Sequence, residues 1–222
     1  DLRSFYASTL GRLAERSIAM ALASVWATLG NERLVGLGYA VPWLERFGTD
    51  AERVFAFMPA AQGAVNWPPT GPSSTALVFD EDLPLVDSSI DRVLMVHSLE
   101  HTENPRETLM EVWRILAPGG RLVIVVPNRR GVWARFEHTP FGTGRPYSRG
   151  QLTALLRETN FTPAQQDAAI IIGVYAGKDL HQRRFACPVL ADDSGDPARL
   201  QLHRHILEGD HSGKAFSDLF SN

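Results

Sequence analysis

The stretch from Asp80 to Asn128 constrains the fold more than any other part of the chain. Within it, Arg92 to Val96 and Arg121 to Val126 are short apolar runs without alternation. Such runs are typical of parallel strands that helices cover on both faces. Two parallel strands joined through a helix form a right-handed crossover. The stretch therefore predicts a βαβ unit in the middle of an α/β sheet.

The segment between these two strands carries the signals of a helix. Asn104 is a suitable N-cap, Pro105 fits the first helical position, and Glu107 stands where a capping box would place it. Pro118-Gly119-Gly120 provides the stop. The predicted buried face comprises Leu109, Val112, Trp113 and Leu116.

Similar reasoning places elements on both sides of this unit. Upstream, we expect one or two helices over residues 1–29 with a break near Gly11, followed by three strands. Downstream, Ser148 and Gln151 form a capping box for a further helix, and Phe161 begins another strand. The upstream strands are Asn31 to Gly38, Arg53 to Met58 and Thr75 to Phe79.

Composition narrows the function classes. The chain has 222 residues, is 44% hydrophobic and 21% charged, and carries a formal net charge of −3, which fits a globular protein with a small-molecule partner. The net charge is negative and no cluster of Lys and Arg residues occurs, so no nucleic-acid partner is expected. Cys187 is the single cysteine, which excludes an internal disulfide. No apolar run reaches the roughly 20 residues of a membrane span, and no signal-peptide pattern occurs, so a cytoplasmic location is expected.

Four ordered pieces of sequence together carry a family resemblance. They are Glu81-Asp82-Leu83-Pro84, Asp87-Ser88-Ser89-Ile90-Asp91, His97-Ser98-Leu99-Glu100-His101 and Leu116-Ala117-Pro118-Gly119-Gly120. At this spacing the chain resembles the class I S-adenosylmethionine (SAM)-dependent methyltransferases, in the group that includes the quinone-biosynthesis enzymes, over roughly residues 31–176. The resemblance implies a Rossmann-like, doubly wound, mostly parallel sheet of order 3-2-1-4-5 plus edge strands. It also implies SAM as cofactor.

The same resemblance assigns cofactor-binding positions: Gly36, Gly38, Ala40, Met58, Glu81, Asp82, Leu83 and His97. This chain departs from the family pattern at several of them. The family has an acidic residue where Gly36 and Met58 stand, and glycines where Ala40 and Pro42 stand. Because a charge-assisted hydrogen bond contributes about 1.5 to 3 kcal/mol, the missing carboxylates predict modest SAM affinity.

A long loop follows the fifth predicted strand, from Asn128 to Tyr147. Loops of this length are usually lids or binding loops, so we expect the acceptor to be bound here, with packing on the N-terminal helix as the alternative. The substrate-side residues would be Arg129, Trp133, His138, Arg145 and Tyr147. If methyl transfer needs a general base, the candidates are His138, Tyr147 and His101. His97 and His101 stand four residues apart beside Glu100, but no further, spatially placed ligand is evident, so no metal site is predicted.

The function predicted from these features is SAM-dependent methyl transfer to an unidentified small molecule. The alternative is a methyltransferase-like, non-catalytic partner-binding or regulatory module with weakened or lost SAM binding. A nucleotide-cofactor oxidoreductase is disfavoured because the third glycine of that fingerprint is missing. We expect a single domain with a helical segment over residues 1–30, an α/β core over 31–176 and an irregular tail over 177–222.

Overall fold

The computed structural model describes residues 2–60, 63, 65–127, 144–165, 172–177 and 183–191, all within the first of two compact units, residues 1–192. The helices are α1 (Leu2–Ala7), α2 (Thr9–Val25), α3 (Val41–Leu44), α4 (Pro105–Ile115) and α5 (Arg149–Glu158), and a 3-10 turn, Glu45–Phe47, follows α3. The strands are β1 (Arg33–Gly38), β2 (Arg53–Pro59), β3 (Thr75–Val78), β4 (Ile90–Val96), β5 (Leu116–Pro127), β6 (Phe161–Gln165), β7 (Ile172–Gly177) and β8 (Arg183–Ala191).

The described strands form one eight-stranded sheet of order β3-β2-β1-β4-β5-β7-β6-β8. β1 lies between β2 and β4 and is parallel to both: Gly36 pairs with Ala56 on one side and with Leu94 on the other. This confirms the predicted 3-2-1-4-5 order with edge strands beyond β5. From β1, strands β2 and β3 are added on one side and β4 and β5 on the other. Such a switch point in the strand order opens a crevice at the carboxyl ends of the strands.

The predicted crossover is present, but its second strand is longer than expected. β5 begins at Leu116, which pairs with Ile90, so the Pro118-Gly119-Gly120 turn lies inside the strand, where the register with β4 shifts. The predicted capping box at Asn104 was wrong, because its side chain makes no cap hydrogen bond. The capping box of Ser148 with Gln151 is confirmed.

The apolar character of β4 is explained by cover on both faces. Val93 and Met95 belong to a core cluster with residues of α4 and α5, whereas Leu94 and Val96 belong to a second cluster with residues of α2 and α3. All four side chains are fully buried. Each buried aliphatic side chain contributes about 1.5 to 3 kcal/mol relative to exposure, so hydrophobic burial holds this strand at the centre of the sheet.

The N-terminal segment forms two helices, and the break lies at Ser8 rather than at the predicted Gly11. The Ser8 hydroxyl caps α2 by accepting a hydrogen bond from the Gly11 amide at 3.0 Å. A side chain at Gly11 would begin 2.0 Å from the carbonyl oxygen of Phe5. Gly11 therefore allows the end of α1 to pack closely on the first turn of α2.

The far edge of the sheet contains β6, β7 and β8. β7 runs antiparallel to β5, β6 and β8, as expected for an antiparallel edge strand of this fold. β8 runs parallel to β5 and lies beyond residue 176, where the sequence predicted the core to end. The described sheet therefore continues to Ala191.

Candidate cofactor and acceptor site

The carboxyl ends of β1 to β4 meet along one side of the sheet. The segments that follow these strands there are Gly38–Ala40, Pro59–Ala60, Phe79–Leu83 and His97–His101; with the end of β1 we call them the ligand edge. Parallel α/β sheets bind their ligands at this side. Six of the eight predicted cofactor positions lie in these segments, whereas Gly36 lies within β1 and Met58 precedes the last residue of β2.

The turn after β1 is pressed against the end of β4. Gly38 has a φ of 75°, and a Cβ added there would lie 2.5 Å from the carbonyl oxygen of Val96. The Tyr39 amide donates to that same oxygen at 2.7 Å. Both the positive φ and the close approach require glycine at position 38.

Gly36 stands where the family has an acidic residue, and its surroundings leave no room for one. A Cβ at Gly36 would lie 2.7 Å from a Leu44 side-chain carbon and 2.8 Å from the Cβ of Ala40. Leu44 and Ala40 are both buried. The volume that a carboxylate side chain would need is therefore filled by apolar packing from α3.

Met58, at the second position where the family has an acid, also points into packed surroundings. Its side chain is buried, and its sulfur accepts a hydrogen bond from the Val65 amide at 3.0 Å. A thioether is only a weak acceptor. Met58 can line an apolar wall of the ligand edge, but it cannot replace a carboxylate that binds a ribose.

Two side chains of α4 hold the loop after β3 through hydrogen bonds to its backbone. The Leu83 amide donates to Glu111 Oε1 at 2.8 Å, and Arg114 donates to the Leu83 carbonyl oxygen at 3.1 Å. Glu81 and Asp82 are exposed. Asp80 is about half-buried, and this burial, with a smaller contribution from the charge of Glu81, raises its pKa to about 6. The loop is thus held in one conformation by α4 and carries a half-buried carboxyl with a pKa of about 6.

His97 is the most constrained residue of the ligand edge. It is a non-glycine residue with a φ of 49°, and it is buried. Its Nε2 lies 2.7 Å from the hydroxyl of Tyr6, and its Nδ1 lies 2.8 Å from Glu100 Oε1. The other carboxylate oxygen of Glu100 is buried and has no hydrogen-bond partner in the described part of the chain.

Tyr6 reaches this position from α1. Its ring stacks on Tyr39 at a centroid distance of 5.3 Å and meets Trp43 edge-to-face at 5.4 Å. Burial, and then the negative charge of Glu100, raise the pKa of Tyr6 above its ordinary value, so the phenol is protonated. Sequence reasoning missed Tyr6 because no local pattern links it to His97, 91 residues away.

The end of the long loop lies against the same segment of the ligand edge. The Arg145 amide donates to the Glu100 carbonyl oxygen at 2.8 Å, and the Tyr147 hydroxyl donates to the Leu99 carbonyl oxygen at 3.4 Å. Burial also raises the pKa of Tyr147. His101 is exposed. The other predicted substrate residues, Arg129, Trp133 and His138, lie outside the described residues.

The described residues contain no group of three or more His, Cys, Asp and Glu side chains that could hold a metal ion. No helix among them is both long and apolar enough to cross a membrane.

Part of the chain that forms the ligand edge matches a known protein family. Residues 34–124, less than half of the chain, match the model of a methyltransferase domain family. This span runs from β1 into β5 and contains the β1 turn, the loop after β3 and His97. The span is therefore similar to methyltransferase domains, and SAM appears in the name of one of the relatives described next.

Named relatives are similar to part of this chain. The chain is 38% identical over 87 residues to the O-methyltransferase resE of Aspergillus sclerotiorum, covering 36% of this chain and 32% of that protein. It is 30% identical over 101 residues to a Mycolicibacterium smegmatis protein named as a SAM-dependent methyltransferase, covering 45% of this chain and 37% of that protein. The chain thus spans about a third of the length of these relatives.

A solved structure supports the fold. A chain from the complex of the Haloferax volcanii Trm112 methyltransferase activator with a candidate methyltransferase superposes with a TM-score of 0.53 at 19% identity. The match covers 77% of this chain and 80% of that chain. At this identity the likeness concerns the fold alone.

Proposed function

We propose that this protein transfers a methyl group from SAM to a small molecule, with SAM bound across the ligand edge. The observation that carries the proposal is that the Gly38 turn, the Phe79–Leu83 loop and His97 all lie at the carboxyl-end side of the same parallel sheet, after β1, β3 and β4. All three lie within the span that matches the methyltransferase domain. Methyl transfer is a direct displacement, so binding and orientation are the main tasks of the protein.

The residues present fit a cofactor that is held mainly by backbone groups. Gly38 brings the β1 turn close to β4, and the Glu81–Leu83 loop is fixed by Glu111. The carboxylates of the family pattern are replaced by the packed Gly36 and by the thioether of Met58. Two lost charge-assisted hydrogen bonds, each contributing about 1.5 to 3 kcal/mol, would weaken binding by about ten- to a hundredfold each.

The acceptor approaches from the side of the long loop. Arg145 and Tyr147 contact the Leu99–Glu100 backbone, next to His97, whereas the positions assigned to SAM extend from there toward β2 and β3. Arg129, Trp133 and His138 would complete the acceptor side. Replacement of Tyr147 by Phe should therefore change methyl transfer more than SAM affinity.

A second candidate function is a methyltransferase-like module that binds a partner without catalysis. The packing at Gly36 favours it, because Leu44 and Ala40 fill the volume of an acid that other members of the family have. Loss of one carboxylate is compatible with an enzyme. The apolar Met58, at the second position where the family has an acid, also favours the non-catalytic module.

Two matched glycine variants test the proposal. Gly38 and Gly71 both have positive φ, but a Cβ at Gly71 would meet nothing within 4 Å, whereas at Gly38 it would meet Val96. Calorimetric titration with SAM and with its demethylated product should show binding to the wild type and to Gly71→Ala. Gly38→Ala, with folding checked by circular dichroism, should bind at least about tenfold more weakly.

The outcomes separate the candidates. SAM binding together with transfer of a labelled methyl group to a small molecule supports the enzyme. Absence of both supports the non-catalytic module. Submicromolar binding that Gly38→Ala leaves undiminished would contradict the position of the cofactor site.

A further inference from the structure

The sheet is unprotected at the edge that β3 forms. β3 stands at the end of the strand order and pairs with β2 alone among the described strands. Proteins usually protect such an edge with charged residues, prolines or bulges, because its outward N–H and C=O groups can pair with another chain. The sequence of β3 is Thr-Ala-Leu-Val, which contains neither a charge nor a proline. The edge can therefore accept a further strand.

Two large apolar side chains lie exposed beside this edge. Ala76 and Val78 pack on the core cluster that contains residues of α4. Because side chains alternate along a strand, Leu77 and Phe79 point to the opposite face of the sheet. Leu77 is 53% exposed and Phe79 is 72% exposed. The open edge thus carries an apolar strip on one face, and a neighbouring strand would cover part of it.

The backbone of β3 is arranged for pairing with an identical, antiparallel strand. The carbonyl oxygens of Ser74 and Val78 accept hydrogen bonds from amides on the β2 side. Since the polar groups of successive residues point to opposite sides of a strand, those of Leu77 point outward. A two-fold axis at Leu77, perpendicular to the sheet, sets this residue opposite its equivalent in a second copy. Each Leu77 amide then donates to the carbonyl oxygen of the other.

The charges at the two ends of this edge are complementary. The exposed Glu81 lies in the turn after β3, in the loop that α4 holds. The exposed Arg53 alternates with Phe55, which packs on the cluster at α4, so Arg53 points to that same face. Ala56 pairs with the first residue of β3, which places Arg53 just beyond the amino end of β3. A two-fold axis reverses the strand but keeps the faces, so Glu81 of each copy comes to the end where Arg53 of the other lies.

We propose that β3 is a homodimer interface, in which the β3 strands of two copies of this chain pair antiparallel and continue the sheet across a two-fold axis. This inference concerns assembly and goes beyond the proposed function. A second copy fits better than a different protein because one edge supplies both halves of every contact: Leu77 meets Leu77, and Glu81 meets Arg53. Such contacts close with two copies.

The size of the edge sets the expected strength of the dimer. β3 has four residues, so the paired strands and the apolar strip bury a limited area. Stable interfaces usually bury about 1,200 Å² or more in total. An interface at the low end of this range gives a dimer that dissociates on dilution.

Sedimentation velocity of the full chain over a dilution series tests the interface. The wild type should sediment as a dimer at high micromolar concentration and dissociate on dilution. Leu77→Lys places two like charges at the axis and should raise the dimer dissociation constant by at least about tenfold. The matched control is Met20→Lys, because Met20 is 47% exposed but lies on α2, and it should dimerise like the wild type. Circular dichroism checks that both variants fold.

Charge reversal tests the antiparallel arrangement. Arg53→Glu alone, or Glu81→Arg alone, sets like charges against each other at both ends of the pair and should raise the dissociation constant by about three- to tenfold. The double variant restores both pairs with the charges exchanged, so it should return to within about twofold of the wild type. Arg16→Glu, on α2 and also exposed, is the control and should have no effect.

The outcomes decide the proposal without reference to SAM. Dissociation of Leu77→Lys and recovery in the double variant support the β3 pair. A chain that remains monomeric at every concentration overturns it and leaves the edge for a strand of a different protein. A dimer that Leu77→Lys and Met20→Lys weaken equally, or that both single charge variants weaken without recovery in the double variant, also overturns it.

Discussion

The two ends of the central strands are built differently. At the amino end, both carboxylate oxygens of Glu32 bond to the buried Arg92, and Arg33 donates to Asp91 from its backbone and its side chain. At the ligand edge, His97 has a positive φ, and Glu100 leaves one oxygen unsatisfied among the described residues. Positive φ values and a buried polar atom without a partner among the described residues also occur near the amino end, at Asn31, Ser88 and Arg92 Nη1. The two ends therefore differ in how their charges are paired: arginine–carboxylate pairs hold the amino end, whereas the Glu100 carboxylate of the ligand edge contacts His97 and faces no arginine among the contacts described.

The largest expected effect breaks the amino end. Glu32→Ala would leave the Arg92 guanidinium buried without its carboxylate, although Trp26 still lies 5.5 Å from it. Because Glu32 is one-third exposed, we expect less than the usual loss of about 3 to 5 kcal/mol, namely a loss of about 2 kcal/mol in the free energy of unfolding. Urea denaturation measures it, and SAM affinity should not change.

The control for this prediction is Glu52→Ala. Glu52 lies at 3.9 Å from Arg33 and is exposed, so its removal should cost well under about 1 kcal/mol. Equal losses for Glu32→Ala and Glu52→Ala would contradict the view that the amino end depends on buried pairing.

A smaller effect concerns Glu111, which bonds to Arg114 and to the Leu83 amide and so holds the loop after β3. Hydrogen bonds from Arg114 and the Leu83 amide lower the pKa of Glu111. A lowered pKa in the folded state adds stability that is present above the ordinary carboxyl pKa and is lost as the pH falls through the folded value. Glu111→Gln should therefore cost about 1 kcal/mol at pH 7 and progressively less below about pH 4.

Denaturation of wild type and Glu111→Gln at a series of pH values tests this expectation. A stability difference that persists undiminished as the pH falls through the folded-state pKa of Glu111 would show that charge on Glu111 does not hold the loop. Loosening of Leu83 should also weaken SAM binding in the variant at pH 7.

The smallest expected effect has the opposite sign and lies at the ligand edge. Burial raises the pKa of Asp80 to about 6, so the folded state binds the proton more tightly than the unfolded state. Stability is therefore lost as the pH rises from about 4 to about 6. Asp80→Asn removes this penalty and should stabilise the protein at pH 7 by about 1 kcal/mol, after allowance for solvent screening at a half-exposed group.

Thermal unfolding at pH 4 and pH 7 measures the Asp80 effect. Asp80→Asn should gain stability relative to wild type only at the higher pH, while the exposed Asp50→Asn should gain none at either. Destabilisation by Asp80→Asn at pH 7 would mean that the Asp80 carboxylate is paired rather than penalised.

The fold could be predicted from sequence because its signals are local. Apolar runs, turns and a capping box at Ser148 located most elements, and the crossover with the switch point at β1 determined the strand order. A local signal also failed at the start of α4, where the predicted side-chain cap did not form. Asn104 has the sequence of a capping box, yet only its backbone oxygen is used, by the Thr108 amide at 3.1 Å.

The candidate site was predictable only in outline. The sequence placed His97 and Glu81–Leu83 at the ligand edge because both follow predicted strands. It could not predict that Tyr6 bonds to His97, since that contact depends on how α1 packs. It also could not explain Gly36, because the reason for the missing acid is the Leu44 side chain, which only the folded structure brings there.

The most direct test of the difference between the two ends is hydrogen–deuterium exchange with and without saturating SAM. We predict slower exchange at the amides of residues 36–40, 80–83 and 97–101, and no change at residues 32–34, 90–92 and 114–116. Ligand contacts and relief of strain should be confined to the carboxyl ends of the strands. Protection at the amino end, or a ligand edge whose exchange SAM leaves unchanged, would contradict this account.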